Sequence, residues 1–157
     1  MRLRKLQEEL QQTKPFSSKQ EEAMLAIMKT ADVVRRRVAA IIEPFGVTMQ
    51  QYNVLRILRG AGPRGLPTLS IGQRLIEATP GVTRLLDRME ARGWVLRLRC
   101  DQDRRVVYAI ITHEGLELLA AIDPPLEHYN HAALPLLSAT QLDALVGLLE
   151  LARAEDE

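Results

Sequence analysis

The sequence is short of cysteine, of aromatic residues and of long apolar runs. One cysteine, Cys100, in 157 residues rules out an internal disulfide framework and suits a reducing compartment. No apolar stretch approaches membrane-spanning length, and the polar start MRLRKLQEELQQ has no signal-peptide hydrophobic region. A cytoplasmic protein without a membrane partner is therefore expected. Catalytic signatures are missing as well. There is no nucleophile elbow, P-loop, His-Glu-x-x-His, cysteine pair or glycine-rich dinucleotide loop, which argues against an enzyme. His128 and His131 stand three apart beside Glu127, but without a third firm ligand they make a poor metal site. No metal or cofactor is expected.

Bases are scarce at one end of the chain and abundant in the middle. Between residues 54 and 105 eleven arginines face five acids, a net +6, and the centre contains no lysine. After Arg105 only Arg153 opposes nine acids, a net −8. The whole-chain charge of +1 conceals this division. A basic centre beside an acidic tail suits a polyanionic partner for the centre alone, and arginine is the cation suited to forked contacts with phosphate and guanine.

The length fits one domain, or one domain with an oligomerisation extension. Met1, Leu3, Leu6 and Leu10 predict a short amphipathic helix ended by Thr13-Lys14-Pro15. Ser18 and Glu21 form a capping-box pattern before a long apolar stripe, Met24, Ile27, Met28, Ala31, Val34, Val38, Ile41 and Ile42, stopped by Pro44. Thr48 with Gln51 opens a helix that buries Tyr52, Leu55 and Leu58 and closes at Gly60. A shorter helix with Thr68 as cap follows the loop AGPRGLP, although Gly72 inside it costs about 1 kcal/mol relative to alanine.

ATPGVTRLLDRMEARG is the clearest helix, with Thr79 as N-cap, Pro80 at the first position and Gly93 as the stop. Val82, Leu85, Leu86 and Met89 face inward, leaving Thr83, Arg84, Asp87 and Arg88 outward. The period then changes from 3.6 to 2. Trp94, Leu96, Leu98 and Cys100 alternate with Val95, Arg97 and Arg99, and a second strand alternates Val107, Ala109 and Ile111 with Val106, Tyr108 and Ile110. Residues 101–104 make the turn, and Cys100 is expected as an inert buried thiol on the inward face. Thr112 caps a helix that Pro124-Pro125 interrupts, and Ser138 begins a leucine-rich last helix.

This order is mainly α with a small β-hairpin wing: a winged helix-turn-helix domain plus a helical dimerisation region. The helix after Thr79 has the diameter to enter a major groove. Gly81 lets its backbone come close, Arg84 could fork onto guanine, and Thr83 could touch a thymine methyl or a phosphate. At the hairpin tip Arg104 or Arg105 suits a narrow, A·T-rich minor groove, with Asp103 pinning the guanidinium. Polar turns and exposed helical faces are also common without function, and Arg84 and Arg88 could simply pair with Asp87. A solvated face is the default for Arg35, Arg36 and Arg37.

The stretches QYNVLRIL, TPGVTRLLDRMEARGWV and DQDRRVVYAIITHEGLELL, with the leucine-rich ending, resemble the MarR family of winged-helix transcriptional regulators over residues 19–153. The resemblance implies a homodimer built by the first and last helices, a pseudo-palindromic double-stranded DNA operator, and most often repression relieved by a small aromatic or phenolic effector. Its pocket walls would come from residues 24–36, Tyr52 and the helix after Thr112. It implies DNA contacts from Thr79, Pro80, Gly81, Thr83, Arg84, Arg88, Asp103, Arg104 and Arg105. The corresponding division is an extra helix at 1–14, a dimerisation region at 15–47 and 113–157, and a DNA-binding domain at 48–112. A winged-helix protein-interaction module without DNA binding is the alternative.

Overall fold

The structure is a computed structural model describing residues 5–76, 81–100, 102, 103 and 105–154. It comprises two compact units, one up to Ile122 and the other from Asp123. In the first unit, α1 (Leu6–Glu9) is a single turn; Met1 and Leu3 of the expected N-terminal helix lie outside the described residues, and Leu10 falls just past its end. Gln11, at φ 51°, turns the chain out of it.

Ser18 caps α2 (Lys19–Ile42) by accepting from the Glu21 N–H at 3.1 Å. The Glu21 carboxylate returns to Ser17 rather than Ser18, accepting from its N–H at 2.6 Å and its hydroxyl at 2.7 Å. Of the apolar stripe on α2 only Ile42 is buried; Met24, Ile27, Met28 and Val34 are exposed. A short 3-10 turn, Glu43–Phe45, contains Pro44 and leads to Gly46 at φ 72°.

In α3 (Met49–Ala61) the capping box is reciprocal: Gln51 N–H donates to Thr48 Oγ1 and Thr48 N–H to Gln51 Oε1. This helix buries Tyr52, Val54, Leu55 and Leu58 and runs one residue past the expected stop at Gly60. Next comes a strand that periodicity could not reveal, β1 (Leu66–Pro67). Gly65 before it packs so close that a Cβ would collide with the Ala109 carbonyl oxygen. The extended chain passes straight into α4 (Thr68–Arg74), so Thr68 is the first helical residue rather than the cap. Pro67 stands at the cap position and has no side-chain oxygen to offer.

The next helix, α5 (Val82–Ala91), starts later than expected. Its N-cap is Gly81, at φ 85°, a conformation that favours glycine and cannot lie inside a helix. The expected cap Thr79 and first residue Pro80 lie outside the described residues. Two antiparallel strands follow, β2 (Val95–Arg99) and β3 (Val107–Ile111), and the sheet order is β1-β3-β2. Val95 pairs with Ile111, Arg97 with Ala109 and Leu66 with Ala109.

The faces of β2 are the reverse of those expected. Val95 is buried and Arg97 is turned inward, whereas Leu96 and Leu98 are exposed. Cys100 follows the strand on the Leu96–Leu98 side and is only half-buried, not sealed in the core. The physical reason is that acids on α5 receive Arg97, so the inward position is polar and satisfied. The core gathers Leu55, Leu58, Ile71, Leu85, Leu86 and Met89, all almost fully buried, each worth about 1.5–3 kcal/mol of burial.

A further difference concerns α6 (His113–Ala132), which is continuous through Pro124-Pro125 rather than interrupted there. Each proline removes a bond to the carbonyl four residues earlier. Ala120, Ala121 and both prolines are exposed, so water can satisfy the freed carbonyls. The unit boundary falls beside the proline pair. Thr112 does cap this helix, accepting from Gly115 N–H at 3.1 Å and donating to the Gly93 carbonyl at 2.6 Å. In the second unit, α7 (Ala139–Leu151) opens with a reciprocal Ser138–Gln141 box and contains no buried residue. Among the described residues no helix is long and apolar enough to cross a membrane.

Candidate nucleic-acid interface

Helix α5 has two sharply different faces. Leu85, Leu86 and Met89 are buried, while Thr83, Arg84, Asp87 and Arg88 are exposed. The left-handed Gly81 stands at the N-cap and makes no side-chain hydrogen bond to the first turn, where backbone N–H groups have no partner within the helix.

At the hairpin tip the Arg105 Nε lies 3.1 Å from Asp103 Oδ1, its Nη2 3.3 Å from Oδ2, and its backbone N–H donates to Oδ1 at 3.0 Å. Arg105 is nevertheless 92% exposed. The side-chain bond from Arg105, then the backbone bond, hold the Asp103 carboxyl below the usual carboxylate range. The carboxylate thus orients a guanidinium that remains in solvent. Of the nine expected contact residues, Thr79, Pro80 and Arg104 lie outside the described residues. Gly81, Thr83, Arg84 and Arg88 gather at α5, and Asp103 and Arg105 at the tip.

Sequence reasoning missed how the tip's scaffold is joined to α5. Arg97 of β2 points at the helix with its side chain 23% exposed. Its Nη2 lies 2.6 Å from Glu90 Oε2 and 2.7 Å from Asp87 Oδ1. Its Nε donates to Glu90 Oε2 at 2.9 Å and its peptide N–H to Oε1 at 3.0 Å. The Arg97 hydrogen bonds lower the Glu90 pKa, and donation to the Glu90 carboxylate is the main reason the Arg97 pKa rises. The available signal was the i, i+3 spacing of Asp87 and Glu90 on α5. A second tie comes from Arg92, which stacks on Trp94 at 4.9 Å and donates to the Gly46 carbonyl at 2.9 Å.

The remaining candidates do not converge. Arg35 and Arg36 both pair with Asp32 at 2.9 Å, in keeping with a solvated helical face. His128 and His131 are exposed, and no metal-ligating cluster occurs among the described residues. The proposed pocket wall Tyr52 is buried in α3, with the Arg56 guanidinium 5.7 Å from its ring centroid.

A helix pair followed by a helix whose exposed face carries Thr83, Arg84 and Arg88, and flanked by a three-stranded wing, defines a winged helix-turn-helix protein. Comparison with known proteins narrows the class. The MarR family model matches residues 47–107. A MarR transcription factor structure from Planctomyces limnophilus is 39% identical, covering 87% of this chain and 99% of its own, with a TM-score of 0.66. The transcriptional repressor CouR, bound to a 23-mer DNA duplex, is 26% identical over 83% of this chain and 91% of its own, with a TM-score of 0.70. NadR in complex with 4-hydroxyphenylacetate is 26% identical over 90% of this chain and all of its own (100%), with a TM-score of 0.71. The chain belongs to the MarR family of transcriptional regulators.

Proposed function

We propose that this protein is a cytoplasmic, sequence-specific regulator of transcription that binds double-stranded DNA as a homodimer. Each copy lays α5 in the major groove of one half of a pseudo-palindromic operator and reaches the adjacent minor groove with Arg105. The observation that carries the reading is the outer face of α5, where Thr83, Arg84 and Arg88 stand exposed opposite the buried Leu85, Leu86 and Met89. In this reading Arg84 forks onto a guanine, and Thr83, Arg88 and the N–H groups after Gly81 engage phosphate or base edges. Thr79, Pro80 and Arg104 complete the surface. Asp103 pre-orients Arg105, which lessens the entropy of ordering a long side chain.

The exposed apolar residues of α2 and of α7 support a dimerisation region at 15–47 and 113–157 around a DNA-binding domain at 48–112, with an accessory segment at 1–14. The CouR and NadR structures support repression and a small phenolic effector that weakens DNA binding by favouring another state of the dimer. No catalytic role is assigned.

Selection of duplexes from a random pool by the purified dimer, followed by titration across a salt series, tests the proposal. Recovery of a two-fold-related sequence is the expected outcome, with log affinity falling by about 0.9 per neutralised phosphate for each tenfold rise in salt. Failure to retain any duplex at low salt would overturn it and favour the protein-interaction module.

A further inference from the structure

Asp87 presents a problem for an arginine-based reading helix. It lies three residues after Arg84 and next to Arg88 on the exposed face of α5. On an isolated helix an i, i+3 acid–base pair of this kind forms readily, and it would occupy the guanidinium meant for DNA. In the structure Asp87 is turned instead toward the wing, with Oδ1 2.7 Å from Arg97 Nη2. Among the described residues neither Arg84 nor Arg88 has a carboxylate within ion-pair distance. Glu90 alone already gives Arg97 a salt bridge, a second side-chain hydrogen bond and a backbone hydrogen bond. The contact with Asp87 therefore adds little to holding β2 on α5, while it does determine where the Asp87 charge sits.

We propose that Arg97 is a positioning residue for DNA reading, one that draws Asp87 off the recognition face and so leaves Arg84 free to contact a base. The assignment rests on the reading of α5 given above. It makes a distinctive demand: losing Arg97 should matter through Asp87 and not through Glu90.

Operator binding by five variants of the whole chain in the salt series provides the test, with thermal melts to verify folding. Arg97→Met is expected to weaken binding about five- to tenfold and to lower the salt slope by about one phosphate equivalent. Arg97→Met with Asp87→Asn should return to within about twofold of wild type. Arg97→Met with Glu90→Gln has the same net charge but leaves Asp87 unpartnered, so it should stay weak. Equal rescue by both second substitutions, or by neither, overturns the proposal. Arg97→Lys keeps the charge and is the variant to use if Arg97→Met does not fold. It should lose about two- to threefold and recover with Asp87→Asn, and an unchanged affinity overturns the proposal. Absence of duplex selection by wild type would instead remove the underlying DNA-binding reading.

Discussion

Helices α5 and α7 are both rich in apolar residues, yet they differ in how those residues are used. α5 buries Leu85, Leu86 and Met89 within its own chain and turns a charged face outward. α7 has no buried residue, and Val146, Leu148 and Leu151 are exposed, Leu148 by 65%. The first helix is complete in a single chain. The second carries apolar surface that a monomer leaves wet, and much of α2 does the same. Large exposed apolar surface of this sort marks an interaction face, which supports the proposed division between a part that reads and a part that assembles.

The strongest challenge to that division is Leu86→Ala. It opens a cavity under α5 and should destabilise the fold by about 2–5 kcal/mol, measured by denaturant unfolding, with DNA binding lost in parallel. A loss below about 1 kcal/mol would mean that α5 is not seated as described. Leu148→Glu should leave the DNA-binding unit folded but raise the dimer dissociation constant by about a hundredfold, because two-fold symmetry applies the lost burial twice. Sedimentation velocity reads this directly, and an unchanged dimer would place the interface elsewhere.

Arg84→Ala should erase about 1–3 kcal/mol of discrimination between operator and mismatched duplex, with a smaller effect on nonspecific binding. Arg105→Ala should weaken all duplexes by a similar, lesser factor and blunt any preference for A·T-rich flanks. Competition titrations with paired duplexes distinguish the two outcomes. Uniform weakening by Arg84→Ala would remove its base-reading role.

The smallest effect concerns pH. Glu90 has a depressed folded pKa through its bonds with Arg97, so its stabilisation is complete above the unfolded value, about 4.3, and is lost as pH falls through the lower folded value. Wild type should therefore melt above Glu90→Gln at pH 6, and the gap should narrow below about pH 4. A gap that stays constant down to pH 3 would contradict the clamp.

Much of this architecture was legible because local rules agreed with tertiary ones. Thr48 with Gln51, and Ser138, announced helix starts that the backbone adopts. The 3.6 period of α5 gave its buried and exposed faces correctly. The Asp103–Arg105 pair was also foreseeable, since residues two apart in a turn are always close. What escaped was non-local. β1 is two residues long and exists because β3, more than forty positions later, supplies its partners. The inward turn of Arg97 depended on carboxylates from another element, and hydrophobicity alone assigned that strand the wrong face.

The amino-acid order by itself determined where most helices lie, the caps at Ser18, Thr48, Thr112 and Ser138, the basic middle and the acidic end, because each follows from side chains within a few positions of one another. Only the tertiary structure decided where Asp87 and Arg97 meet, how the short first strand is held, and that two prolines ride inside a continuous helix. Those outcomes depend on electrostatic partners, sheet neighbours and solvent exposure, which the folded chain alone brings together.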